Sequence, residues 1–224
     1  DFSSSIHHAD LNKLKIPNKS DSLSKISATI NADFSGNHLD SLSGYARLTD
    51  LNYHQDNFVY RLDSLVVKAH QDPLTKEIIE IRSDFMDANI EGRFHLSRLA
   101  ESYKNLMHHY LPEVFAYDSI EKLKQDFNFD FHLKDTRGIS QIFLPSVRLS
   151  EDSYIQGRYS IDTNEIFMEA RLDTLTYNSI KFQEVNVSSF NGDDLYNSII
   201  NVKQIILKEY EEKNIESVGL EQFE

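Results

Sequence analysis

The chain has 224 residues, and 23 Lys plus Arg against 36 Asp plus Glu leave a net charge of −13. That length suits one elongated domain or two small ones, and the negative balance repels a phosphate backbone, so no nucleic-acid partner is expected. The absence of cysteine excludes disulfides, thiol nucleophiles, cysteine–zinc sites and iron–sulfur clusters together.

Residues 1–24 are rich in Ser, Asn, Asp and Lys, with Pro17, and read as a loop or a weak incoming strand. The start, Asp1-Phe2-Ser3-Ser4-Ser5, has neither an initiator Met nor a basic-then-apolar signal peptide, and no apolar run reaches the roughly 20 residues of a bilayer span. The chain reads as an excised piece whose anchor or export signal would lie outside it. A first β segment is expected over residues 25–96. Ile26, Ala28, Ile30, Ala32 and Phe34 alternate with polar residues, the period of two that gives a strand one apolar face. Tyr45 to Tyr53, Phe58 to Ala69 and Ile78 to Phe85 are further strand candidates rich in Ile, Val, Phe and Tyr. The alternation returns at Ala88, Ile90, Gly92, Phe94 and Leu96. Ser35-Gly36-Asn37, Gln55-Asp56-Asn57 and Asp72-Pro73 supply the turns between them, as in an antiparallel meander.

A helical insertion is expected over residues 97–125. Leu96, Leu99, Tyr103, Leu106 and Tyr110 recur at three and four residues, with Ser97 as the N-cap candidate before Glu101 and Pro112 beyond the end. A helical turn over Ser119 to Gln125 precedes a second β segment, residues 126–224, which continues the same sheet. There Phe127, Phe129, Phe131 and Leu133 form the strongest apolar face. Ile139 to Leu149, Tyr154 to Ile161, Ile166 to Leu172 and Ile180 to Val187 follow as strands, with turns at Thr136-Arg137-Gly138 and Asn191-Gly192-Asp193. Residues 195–220 fit either a helix stripe or two strands, and their Ile and Val content favours strands. The fold class is thus mostly β, an elongated curved antiparallel sheet with one inserted α-helix near residues 97–110.

Two internal echoes point to degenerate strand repeats. Asp87-Ala88-Asn89-Ile90-Glu91-Gly92-Arg93-Phe94 resembles Asp152-Ser153-Tyr154-Ile155-Gln156-Gly157-Arg158-Tyr159, and Ala46-Arg47-Leu48, Leu51 and Tyr53 match Ala170-Arg171-Leu172, Leu175 and Tyr177 at one fixed offset. A strand pair cannot bury its apolar face alone, so such units stack or curl until the apolar surface is continuous. Gly92 and Gly157 fall on the apolar side, where a missing side chain permits a bend or a close approach.

No catalytic or metal constellation emerges, and no cofactor is expected. His7-His8 and His108-His109 are adjacent pairs whose rings diverge on a strand or a helix, with no H-E-x-x-H spacing to complete a site. Asp63, Asp84, Asp87, Asp130 and Asp173 read as turn and strand-edge carboxylates, not a hydrolytic pair. Seven glycines leave little for a phosphate-cradling loop, and no G-x-S-x-G is present. The Phe127 to Leu133 ladder has two readings, a closed core or an open groove wide enough for acyl chains.

The run Ile81-Arg82-Ser83-Asp84-Phe85-Met86-Asp87-Ala88-Asn89-Ile90-Glu91-Gly92-Arg93-Phe94, the helix ending at Tyr110-Leu111-Pro112, and the phrases Gly36-Asn37-His38-Leu39-Asp40-Ser41-Leu42-Ser43-Gly44 and Arg61-Leu62-Asp63-Ser64-Leu65 together resemble the middle of TamB-type translocation and assembly proteins of the AsmA-like superfamily. That resemblance implies a taco-shaped β-groove lined by Ile26, Ile30, Phe34, Ile90, Phe94, Phe127, Phe129, Phe131, Leu133, Ile155, Tyr159, Ile166 and Met168. It further implies the periplasmic part of an inner-membrane-anchored protein of a Gram-negative bacterium. Phospholipid acyl chains would be its cargo, and an outer-membrane assembly factor of the Omp85 class would be met through regions outside this chain. The alternative is a closed β-sandwich binding or scaffold module of a secreted or surface protein.

Overall fold

A computed structural model describes residues 2–10, 24–71, 76–110, 112–116, 124–161, 163, 165–191 and 195–207. They form a 12-stranded antiparallel sheet. Its strands are β1 (Phe2–Asp10), β2 (Ser24–Ser35), β3 (Ser43–Gln55), β4 (Phe58–Gln71), β5 (Glu77–Ser83), β6 (Met86–Arg93), β7 (Asp126–Leu133), β8 (Val147–Leu149), β9 (Ser153–Ser160), β10 (Glu165–Tyr177), β11 (Ile180–Asn191) and β12 (Tyr196–Ile206). Each strand pairs with its sequence neighbour, except that β7 passes over β8 to reach β9, and the three-residue β8 prolongs the line of β9 along β10. The sheet is open: β1 and β12 are its edges. No second sheet faces it among the described residues, so the closed β-sandwich is not the architecture found.

The expected meander and helix are both present. The helix α1 (Leu99–Tyr110) is preceded by a 3-10 turn, Leu96–Arg98. Three local expectations are corrected. Ser97 does not cap the helix; it lies inside the 3-10 turn, and its N–H and hydroxyl both donate to Asp40, at 2.9 and 2.5 Å. Ile139 to Leu149 is not a strand, and Thr136-Arg137-Gly138 is not a turn: Arg137–Phe143 form a second helix, α2, followed by the short β8. The physical reason lies in the β5–β6 hairpin, which is shorter than β4. Leu65 pairs with Ser83 at the hairpin's end, so the first half of β4 has no partner on that side. Asp84 accepts the β4 N–H groups of Asp63 and Ser64, and α2 fills the remaining gap against Tyr60, whose ring leaves no room for a Cβ at Gly138. The expected helical turn over Ser119 to Gln125 and the strand over Ile215 to Leu220 lie wholly or largely outside the described residues.

The second echo corresponds to a shared change of apolar spacing. In β3 the apolar residues Ala46, Leu48, Leu51 and Tyr53 each face an apolar partner, as do Ala170, Leu172, Leu175 and Tyr177 in β10. The apolar spacing changes from two to three at Thr49-Asp50 and at Asp173-Thr174. Their neighbours change at the same level: Leu65 to Leu62 in β4, Val185 to Phe182 in β11 and Val202 to Ile205 in β12. Asp50 and Glu184 have positive φ values, 54° and 48°, while the register runs unshifted across β3–β4, β10–β11 and β11–β12; a shift is present at this level between β2 and β3, at Ser27/Thr29. Neighbouring strands thus change their apolar spacing together, which keeps one face apolar along its whole length.

Candidate functional site: an apolar trough

The registers place one face of the sheet in order. A single rung across it reads Phe2, Ala32, Ala46, Val67, Ile81, Ala88, Phe131, Ile155, Ala170, Val187 and Ile200, each directly opposite the next. Every strand of the main path contributes an apolar residue and none a polar one. The next rung carries Phe34, Ile79, Ile90, Phe129 and Met168, and the one beyond it Phe127, Tyr159 and Ile166. Ile30 aligns with Leu48 and Leu65, Ile26 with Tyr53 and Tyr60, and Leu133 caps the opposite side.

The strand residues expected to line a groove therefore share one face. Their burial differs. Phe127, Leu133, Tyr159 and Ile166 are buried, as is Phe94 just past β6, whereas Ile26, Ile30, Ile90, Phe129, Phe131, Ile155 and Met168 are half-buried and Phe34 is exposed.

α1 explains the buried group. Leu106 packs with Phe94, Phe127, Tyr159 and Ile166, and around them gather Ile79 of β5, Ile90, Leu99, Tyr110 and Tyr196 of β12. Adjacent strands supply neighbouring side chains to this cluster, from Ile79 of β5 to Ile166 of β10, and Tyr196 of β12 meets Tyr110 of α1 with ring centroids 5.9 Å apart. The Tyr110 hydroxyl accepts from Asn191 Nδ2 at 2.6 Å, and Gln125 Nε2 donates to Ser102 Oγ at 2.5 Å. Tyr103, expected on the apolar stripe, is exposed and meets Phe115 edge-on. At the other end of the same face α2 lies over Tyr60, whose hydroxyl is pushed up to about 12 by burial and by Asp84 and Asp135. The trough is thus capped by a helix at each end and half-open between them.

The glycines fit the ladder of rings. A Cβ at Gly157 would stand 2.5 Å from Phe129 Cζ, and one at Gly92 would stand 2.8 Å from Phe127 Cβ. The Phe129 ring therefore occupies the hollow left by Gly157, and the β7 backbone at Asp126 and Phe127 occupies the one left by Gly92.

Some of the polar candidates have identified partners. Asp87 is paired with Lys134 at 2.7 Å, His108 Nδ1 lies 2.5 Å from the Phe115 carbonyl, and His109 meets Tyr110 edge-on. The side chains of His7 and His8 lie outside the described residues. Among the described residues no group of three His, Cys, Asp or Glu could hold a metal ion, and no helix is long and apolar enough to cross a membrane.

Residues that periodicity did not single out complete the trough. Val67, Ala69, Ile79 and Ile81 belong to its rungs, and Asp40, His70 and Glu77 rim a pocket beside α1. Register alone reveals the first group, because Ala69 and Ile79 sit within runs whose alternation is weak. Comparison with known proteins adds no relative: no family model, no curated protein and no solved structure matches the chain.

Proposed function

We propose that this chain is a segment of a lipid-carrying β-trough of the TamB type, which shields phospholipid acyl chains from water on their way between the inner and outer membranes. The observation that carries the reading is the unbroken apolar rung from Phe2 to Ile200 on an open sheet. A monomeric core hides such a surface against a second layer; here the middle of the face has none among the described residues, and Phe131 and Ile155 remain half-buried.

The mechanism involves no covalent chemistry. Each acyl methylene moved from water to the face gains about 0.8 kcal/mol, and the gain is similar at every step along the rung. A chain is therefore held across the sheet without a deep well to trap it. Head groups stay at the hydrated rim. The setting is the periplasm, and support of outer-membrane protein assembly falls to other parts of the parent protein.

Native mass spectrometry of the chain purified from a bacterial host tests this. Acyl lipid should co-purify, and Phe131→Asp should remove it while the far-ultraviolet circular dichroism spectrum stays β-type. A wild-type chain that carries no lipid, even after incubation with phospholipid vesicles, would sink the reading.

A further inference from the structure

At the α1 end the trough divides into two lanes. Leu106 of α1 completes a cluster that reaches from Ile79 of β5 to Tyr196 of β12, and on the β2 to β5 side, bounded by Ile79 and Phe94, a pocket of about 360 Å³ remains, within the roughly 300–1,000 Å³ range of ligand sites. Phe34, Val67, Ala69, Ile79, Phe94 and Leu96 give it apolar walls, and its rim is acidic: Asp40 and Glu77 contribute, with His70, and neither Lys nor Arg is among its lining.

The two carboxylates are not equivalent. Asp40 is engaged by the N–H and hydroxyl of Ser97. Glu77, the first residue of β5, shares by register the face of Ile79 and Ile81. Burial raises its carboxyl above the usual carboxylate range, against the opposing pull of His95 and of the Phe94 N–H that holds it in place. No lysine or arginine pairs with it among the described residues.

We propose that this pocket binds an aliphatic amphiphile with an ammonium head group, its tail lying along Ala69 and Val67 into the trough and its ammonium on Glu77. Among the basic groups of the described residues only the His95 imidazole favours the ionised form of this half-buried carboxylate, and an ammonium adds a permanent positive charge as a charge-assisted hydrogen bond. An anionic head group would instead bring a third negative charge to the rim, which selects against it. The inference rests on the lipid reading of the trough and adds the head-group chemistry of one of its ends.

The test is calorimetric titration of the whole chain with dodecylammonium, dodecanol and dodecanoate below their micellar concentrations. Dodecylammonium should bind about tenfold or more tighter than dodecanoate, and Glu77→Gln should weaken it by about tenfold while changing dodecanol less than about twofold. Ala69→Phe fills the pocket and should abolish binding of the ammonium probe at an unchanged melting temperature. Failure of all three probes to bind the wild-type chain would defeat the trough and the pocket together. Equal affinities for the three, or a Glu77→Gln or Ala69→Phe variant that binds the ammonium probe as the wild type does, would leave the trough standing and overturn this inference.

Discussion

At the scale of single residues, two features under α1 make measurable claims. Tyr159 is buried beside Phe127, and its hydroxyl has no hydrogen-bond partner among the described residues. Removing a buried, unsatisfied hydroxyl is neutral or favourable, so Tyr159→Phe should raise stability by about 1 kcal/mol in urea unfolding. The same burial pushes the Tyr159 hydroxyl up from 10.0 to about 12. A folded-state value above the unfolded one means that the native state holds the proton more tightly. That share of stability is complete below the unfolded value and is lost as pH rises from about 10 through about 12. The alkaline limb of the melting curve should therefore be shallower in Tyr159→Phe, and an unchanged limb would show that this hydroxyl is not the group responsible. The glycine hollows make the second claim. Gly92 has φ 148°, and a Cβ there would collide with the β7 backbone. Gly92→Ala should cost about 1–3 kcal/mol, read from the same urea midpoints.

At the scale of elements, α1 is an insertion and not a link in the ladder. β6 and β7 pair directly from Met86 with Leu133 to Arg93 with Asp126, so the loop that holds α1 leaves and returns at adjacent points. A short turn replacing residues 95–124 should preserve the β-type circular dichroism spectrum and increase uptake of an apolar fluorescent probe, because the seat formed by Phe127, Tyr159 and Ile166 becomes open. Loss of the sheet on that replacement would show instead that α1 is part of the core. What the sequence made legible follows the same division. Strands with strict alternation, such as Ile26 to Phe34 and Phe127 to Leu133, declare both their type and their inward face, and α1 declares itself by a change of period. α2 does not: Ile139, Ile142 and Phe143 carry β-type composition, and the segment is helical because the short β5–β6 hairpin leaves space beside β4 that only a tertiary contact with Tyr60 defines. Glu77 was equally silent, since a carboxylate at the start of a strand reads as solvated until the register turns it towards the face of Ile79 and Ile81.

At the scale of the whole molecule, the open sheet leaves two edges, and they differ in kind. An exposed edge strand is usually protected by charge, proline or a bulge. β12 has its one lysine drawn onto Glu184, and it exposes Ile199, Ile200, Ile205 and Ile206 at 51%, 63%, 56% and 38%. Register assigns these to both faces: Ile200 continues the trough opposite Val187 and Ile205 lies opposite Phe182, whereas Ile199 lies opposite Ser188 and Ile206 opposite Lys181 on the outer face. The apolar rung accounts for the first pair and does nothing for the second. Ile199 and Ile206 therefore leave the outer side of the edge adhesive, and this chain should self-associate through β12 as its concentration rises. Replacing both, Ile199→Lys with Ile206→Lys, should suppress that association in sedimentation velocity, shift stability by no more than about 0.5 kcal/mol and leave lipid uptake unchanged, because neither residue lines the trough. If the double variant lost bound lipid as well, the outer face of β12 would belong to the carrier surface, and the division of the sheet into one greasy and one wet side would fail at its edge.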